Sequence, residues 1–309
     1  MRGASPNRDV LSTISLSRRF YEDLFHETDL LRKKLARKDV LDACTGRILA
    51  TVFMEPSTRT RLSFQFAMTK IGGEVIDFGP VEVTSTAKGE TFEDTMRMID
   101  GYGPDVVVVR SRVEGSAKLA ADICSAPVIN AGDGSNEHPT QAMLDLYTMQ
   151  RIRGRIDGVK VGLMGDLAHS RTTSSLSYAL DKFRDVTIFY IAPSELQIRP
   201  EIVSSLKHVQ AEKAETFEGV FRELDFLYVT RLQRERFTDA REYERLKGSY
   251  QLNKASISKY DRLPFIMHPL PRVDELNPDL DELAIAKYFE QAKNGLYVRA
   301  ALLKRILSN

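Results

Sequence analysis

Cysteine is nearly absent from this chain. Only Cys44 and Cys124 occur among 309 residues, with no CxxC spacing. That argues against a disulfide framework and a thiolate zinc site, and makes a reducing cytoplasm the expected location. An excess of one charge is also missing, since 44 basic residues face 43 acidic ones. Polyanion binders usually carry a strong basic surplus, so nucleic acid is not an expected partner. The opening stretch Met1-Arg2-Gly3-Ala4-Ser5-Pro6 has no apolar core of the kind a secretory leader needs. No apolar run approaches a membrane span, so no membrane partner is expected. Internal repeats and low-complexity tracts are likewise absent. What is present, 42% apolar and 28% charged residues, fits a globular protein long enough for two domains.

Apolar strand-like runs alternate with helical patterns, which predicts an α/β fold: two similar domains, each a mostly parallel sheet flanked by helices. In the first half the expected strands are 47–53, 74–78, 105–109 and 127–130, and the helices between them 59–71, 90–102 and 114–124. The run Val106-Val107-Val108-Val109 is β-branched throughout, as a strand covered on both faces should be. The second half restarts the pattern with strands near 160–164, 186–191, 225–229 and 264–267, and a helix from about Arg171. A long helix over 139–152 joins the halves, and the tail 283–307 reads as helical with Gly295 as a break. Two such domains would place a cleft between them, and ligands of open α/β sheets bind at the carboxyl ends of strands.

The segment Ser57-Thr58-Arg59-Thr60-Arg61 is the most informative in the chain. It lies between an expected strand and an expected helix. A first helical turn has free N–H groups and the positive end of the dipole. Hydroxyls and guanidinium groups added there suit a phosphate-like dianion. A Ser-Thr pair alone would be read as an ordinary cap. Two arginines at the unfavourable end of a helix call for an anion to offset them.

Other expected strand ends have the same character. Arg110 follows the valine run. Asn136-Glu137-His138-Pro139-Thr140-Gln141 opens the joining helix. Arg171 and Thr172 follow Gly165-Asp166, Arg231 and Gln233 follow Leu227-Tyr228-Val229, and His268-Pro269-Leu270-Pro271-Arg272 follows Phe265-Ile266-Met267. Any one of these is more often a surface ion-pair partner or a structural histidine. Six together are harder to dismiss.

Ser57-Thr58-Arg59-Thr60-Arg61, His138-Pro139-Thr140-Gln141 and His268-Pro269-Leu270-Pro271-Arg272 resemble the motifs of the transcarbamoylases over about Leu16 to Leu303. Lys88-Gly89-Glu90-Thr91, Thr230-Arg231-Leu232-Gln233 and the His268 motif are similar to the aspartate branch of that family. The ornithine branch carries a cysteine where Leu270 stands. The resemblance implies two domains, 1–140 plus 297–309 for carbamoyl phosphate and 141–296 for aspartate, joined by two interdomain helices. It implies transfer of the carbamoyl group of carbamoyl phosphate to the α-amine of L-aspartate, with no metal or cofactor and no covalent enzyme intermediate.

The resemblance assigns Ser57, Thr58, Arg59, Thr60 and Arg110 to the phosphate. Thr60, Arg110 and His138 would face the carbonyl oxygen where negative charge builds. Gln141 would orient the carbamoyl amide together with the Pro269 and Leu270 carbonyls. Arg171, Thr172, Arg231, Gln233, Leu270, Pro271 and Lys88 would hold aspartate. In the family the loop 84–90 enters a neighbour's site, which makes Ser85 (or Thr84) and Lys88 shared residues of a homotrimer. Glu55, Arg171, Glu235 and Arg236 resemble residues that pair across the domains on closure. Regulated relatives carry a lysine and a tyrosine where Ala168 and His169 stand. A separate regulatory chain is compatible with the sequence, but allosteric behaviour of that kind is put in doubt. An ornithine enzyme would need an acidic pocket in the second domain, and a non-catalytic relative would have lost Arg59, Arg110 or His138.

Overall fold

The computed structural model describes residues 8–37, 39–79, 84–232, 241 and 250–308. It divides into two units. One is Met1–Leu144 with Asn294–Asn309, and the other is Asp145–Lys293. The sequence placed these junctions at 140/141 and 296/297.

The first unit begins with α1 (Arg18–Ala36), whose Tyr21, Leu24, Phe25, Thr28 and Leu31 form one buried stripe. Then come β1 (Ile48–Phe53), α2 (Thr58–Lys70), β2 (Glu74–Asp77), α3 (Phe92–Gly101), β3 (Val106–Ser111), α4 (Ser116–Ile123) and β4 (Val128–Asp133). The sheet order is β2-β1-β3-β4, all parallel. Its valines pack against Met96, Ile99 and Ala120 of the flanking helices. The N-terminal segment extends the edge: Val10 N–H donates to Val128 O and Val10 O accepts from Asn130 N–H, each at 2.9 Å.

Helix α5 (Pro139–Arg153) spans the first junction. The second unit follows with β5 (Lys160–Met164), α6 (Arg171–Leu180), β6 (Thr187–Ile191), α7 (Pro200–Ser205), β7 (Gln210–Ala214), β8 (Phe226–Val229), α8 (Lys254–Ile257) and β9 (Phe265–Met267). Its sheet order is β7-β6-β5-β8-β9, again all parallel. Helix α9 (Tyr288–Leu307) spans the return junction.

Two expectations are corrected here. The tail helix starts at Tyr288, not 283, and Gly295 does not break it. A Cβ at Gly295 would lie 2.7 Å from Arg299 Nη1 and 3.0 Å from Leu144 Cδ2. The glycine clears a path for Arg299, whose Nη1 donates to Ser63 Oγ at 2.8 Å and whose guanidinium covers Phe64. Strand β7 was not anticipated.

Both strand orders contain one reversal. In the first unit the chain leaves β1 for β2 on one side, then returns to β3 on the other. In the second it runs β5, β6, β7 and returns to β8 beside β5. Ligands of open α/β sheets sit at the carboxyl ends of the strands flanking such a reversal. Among the described residues no helix is long and apolar enough to cross a membrane.

Candidate active site

The reversal in the first unit collects the phosphate-like motif. Phe53 and Arg110 are register partners, and Met54 N–H donates to Arg110 O at 2.8 Å. The carboxyl end of β1 runs directly into α2, with Ser57 at the N-cap. Ser57 has the extended backbone of a cap but its side chain makes no capping bond. Simple capping therefore does not explain it. Thr58 and Arg59 are exposed in the first turn, and Thr60 is buried. No acidic residue occupies that turn. Arg110 Nη1 donates to Ala131 O at 3.3 Å, and its Nε lies 3.3 Å from Glu55 Oε2.

Arg61 behaves otherwise. Its Nη1 is 3.5 Å from Asp77 Oδ2, and Asp77 Oδ1 accepts from Thr51 Oγ1 at 2.6 Å. The anion that offsets Arg61 is thus internal, at the end of β2.

His138 is 3% exposed and precedes the first turn of α5, where its carbonyl accepts from Gln141 N–H at 3.0 Å. Two buried carboxylates build the loop that carries it. Asp133 accepts from Asn130 Nδ2, Asn136 Nδ2, Gly115 N–H and Glu137 N–H at 2.8–3.2 Å. Glu137 accepts from Thr13 N–H at 2.8 Å and from the hydroxyls of Ser12 and Thr13. Burial pushes the Glu137 carboxyl above its ordinary range, and Asp133 adds to this, against the lowering effect of the Ser12 and Thr13 bonds.

The reversal in the second unit has the same logic. Thr230 N–H donates to Met164 O at 2.8 Å, drawing the ends of β5 and β8 together. Gly165, at φ +118, allows this approach, because a Cβ there would sit 2.2 Å from Thr230 O. Arg171 opens α6 behind the cap Ser170, whose hydroxyl also lies 3.0 Å from that of Thr172. Ahead of it, the fully buried Asp166 accepts from His169 N–H at 3.2 Å and faces His169 Nδ1 at 2.9 Å. Arg231 is half-buried just past β8. Arg171 thus opens the helix that follows β5, and Arg231 lies just past β8, the two strands flanking the reversal.

Beyond β9, His268 is buried. Its Nδ1 accepts from Leu270 N–H at 2.8 Å, which leaves the ring proton on Nε2, 2.7 Å from Glu275 Oε1. Burial is the largest single influence on the Glu275 carboxyl and pushes it up, but the bond and charge of His268 together with main-chain N–H bonds at Val273 and Glu275 outweigh it, so it lies below the ordinary carboxylate range. Leu270 stands at φ +56, a left-handed conformation that costs a non-glycine residue about 1–2 kcal/mol. Arg272 is not available to a ligand in the way its motif suggested. Its two terminal nitrogens grip both oxygens of Asp281, the Nη2 bond at 2.7 Å, and its guanidinium covers Tyr288 and Phe289.

The chain matches family models along nearly its whole length. Residues 8–151 match the carbamoyl-P binding domain of aspartate/ornithine carbamoyltransferase, and residues 157–306 match its Asp/Orn binding domain. The chain belongs to the aspartate/ornithine carbamoyltransferase family. It is 48% identical to the aspartate carbamoyltransferase catalytic subunit of Methanopyrus kandleri over 97% of each chain. Among solved structures, the catalytic subunit of the M. jannaschii aspartate transcarbamoylase superimposes with a TM-score of 0.89 at 44% identity, covering 97% of this chain and 98% of that one. The Trypanosoma cruzi aspartate transcarbamoylase in complex with N-(phosphonacetyl)-L-aspartic acid gives 0.91 at 35% identity, covering 96% of this chain and 94% of that one.

Against this family background some expected residues lie outside the described set: Gln233, Glu235 and Arg236. Ser85 and Lys88 fall in the 3-10 turn Ser85–Lys88, with Lys88 exposed. Glu55 pairs with Arg110 in its own unit. The sequence reading gave no part to Asp133, Glu137, Glu275 or Asp281, carboxylates each held by two or more partners. Spacing alone does not separate such residues from solvated surface acids. The Asn130–Asp133–Glu137 spacing before a histidine was the one available cue.

Proposed function

We propose that this family member is an aspartate carbamoyltransferase catalytic chain, transferring the carbamoyl group of carbamoyl phosphate to the α-amine of L-aspartate. The aspartate nitrogen attacks the carbonyl carbon, and the bond from that carbon to the phosphate oxygen breaks. The amine proton leaves with the phosphate, giving N-carbamoyl-L-aspartate, a precursor suited to pyrimidine synthesis. Ser57, Thr58, Arg59, Thr60 and Arg110 hold the phosphate. Thr60, Arg110 and His138 stabilise the oxyanion, each such donor contributing about 2.7–4 kcal/mol in the transition state. Gln141 orients the amide, and Arg171, Thr172, Arg231, Leu270 and Pro271 serve aspartate, with Gln233 alongside. Planar guanidinium groups suit two carboxylates better than lysine would.

One observation carries this reading. Both sheets reverse once, and in each the segments that follow the two strands at the reversal carry arginines and hydroxyls. The name of the Trypanosoma cruzi enzyme in complex with carbamoyl phosphate and aspartate supports the same substrates. Turnover with L-aspartate and none with L-ornithine is the expected assay result. The reverse would overturn the assignment.

The same reading includes a cytoplasmic homotrimer whose loop with Ser85 and Lys88 completes a neighbour's site. Leu62 and Phe66 on one face of α2 and Ile76 on the edge strand β2 are 41%, 57% and 62% exposed, an apolar surface that supports self-association. Light scattering should give a trimer mass. Mixing Lys88→Ala with Arg59→Ala chains should restore activity to hybrids; inactive hybrids would defeat the shared site. A separate regulatory chain is compatible with this assembly, and Ala168 with His169 argues against effector control through the turn before Arg171.

A further inference from the structure

Leu270 keeps its left-handed backbone at φ +56. Such a conformation persists only where its surroundings over-determine it. Those surroundings are a chain of buried groups to which the reaction assigns no part. Tyr228 OH donates to Asp145 Oδ2 at 2.9 Å, and Gln291 Nε2 donates to Asp145 Oδ1 at 2.6 Å. Gln291 Oε1 accepts the main-chain N–H of His268 at 2.8 Å. His268 then bridges Glu275 at 2.7 Å and Leu270 N–H at 2.8 Å through its two ring nitrogens. Asp145, Tyr228, His268, Glu275 and Gln291 are each at most 5% exposed.

Each orientation in this chain follows from its neighbour. Asp145 only accepts, so Gln291 turns its Nε2 toward it and leaves Oε1 for His268. Glu275 only accepts, and Val273 N–H already donates to it at 3.2 Å. His268 must therefore carry its proton on Nε2, and Nδ1 is left as the acceptor for Leu270. A doubly protonated ring, or the other tautomer, would face Leu270 N–H with a second N–H.

We infer that Glu275 is a positioning residue for the reaction. Its carboxylate fixes the tautomer of His268, and that tautomer holds the Leu270 main chain in the one conformation that aims its carbonyl at substrate. The inference rests on the substrate contact assigned to Leu270 under the proposed function. A merely structural buried pair would predict loss of stability on mutation with no tautomer-linked effect on kcat.

The test uses the full chain, with carbamoyl phosphate and L-aspartate for turnover and inorganic phosphate as the binding probe. Glu275→Ala should lower kcat about 100-fold, the scale of a displaced substrate contact. Phosphate affinity by calorimetry should stay within about twofold, because its assigned ligands lie elsewhere in the chain. Glu275→Gln keeps an oxygen acceptor for Nε2–H, so kcat should stay within about tenfold of wild type. Spectra of 15N-histidine-labelled wild type and Glu275→Gln should show His268 as the Nε2–H tautomer from about pH 6 to 8. A folded Glu275→Ala chain with wild-type kcat overturns the inference. So does a Glu275→Gln chain that keeps the Nε2–H signal yet loses activity 100-fold. Should Glu275→Ala not fold, the Glu275→Gln spectrum and kcat decide alone. A wild type that fails to use these substrates counts against the proposed function instead, and an Nδ1–H signal for His268 still refutes the role of Glu275.

Discussion

Glu55 Oε2 lies 3.3 Å from Arg110 Nε, with the two side chains 21% and 13% exposed. A phosphate bound at Arg110, as proposed, would meet a guanidinium already facing a carboxylate. Glu55→Ala should therefore have opposite effects on binding and turnover. Affinity for inorganic phosphate should rise by up to about tenfold, the equivalent of about 1.4 kcal/mol, as the competing anion goes. The maximal rate should fall, because Arg110 loses one of the groups that aim it. Calorimetry and steady-state kinetics on one preparation check both signs, and weaker phosphate binding would show that Glu55 is not a competitor.

His138 is held at the start of α5 by its loop, and its ring is buried. A donor placed at a developing oxyanion loses most when removed outright. His138→Ala should lower kcat about 10²- to 10³-fold with little change in phosphate affinity. Equal losses in both would mean that the residue only shapes the phosphate pocket.

Much of the fold was legible because parallel strands covered on both faces read as continuous apolar runs, as Val106–Val109 does. Strand β7 was not, because Gln210-Ala211-Glu212-Lys213 is an exposed edge with no apolar run. The segments proposed to bind anions stood out in the sequence because hydroxyls and arginines concentrate at the boundary of a strand and a helix. Their supports were not. Glu275 is seven residues from His268, and Thr13 is 124 from Glu137, so only the folded chain brings them together. Arg61 shows the opposite error, a motif residue whose anion is Asp77.

Glu137 gives a pH signature of stability. Its carboxyl is raised from 4.5 in the folded chain, first by burial. Ionised, it costs folding free energy; that cost fades as pH falls through the raised value toward 4.5. Urea denaturation of wild type and Glu137→Gln at pH 8 and near pH 4.5 should show wild type gaining on the variant at the lower pH. A gap that is constant with pH would mean Glu137 titrates alike in both states.

Arg171 opens α6 where no acidic residue occupies the first turn. Arg171→Lys keeps the charge and loses the planar fork. The KM for aspartate should rise about 10-fold or more, with inorganic phosphate binding unchanged. An unchanged KM would place the aspartate carboxylates elsewhere.

Gly165 and Gly158 separate backbone strain from collision. Both have positive φ, +118 and +74, but a Cβ at Gly158 meets nothing within 4 Å whereas one at Gly165 would lie 2.2 Å from Thr230 O. Gly158→Ala should cost about 1–2 kcal/mol, the strain alone. Gly165→Ala should cost more, about 3 kcal/mol or above, because β5 and β8 must part where Thr230 N–H binds Met164 O. Parting them moves Arg231, which follows Thr230 directly. The KM for aspartate should therefore rise in Gly165→Ala and stay near wild type in Gly158→Ala. Equal stability and equal KM in the two variants would mean that the close approach of β5 and β8 does not position Arg231.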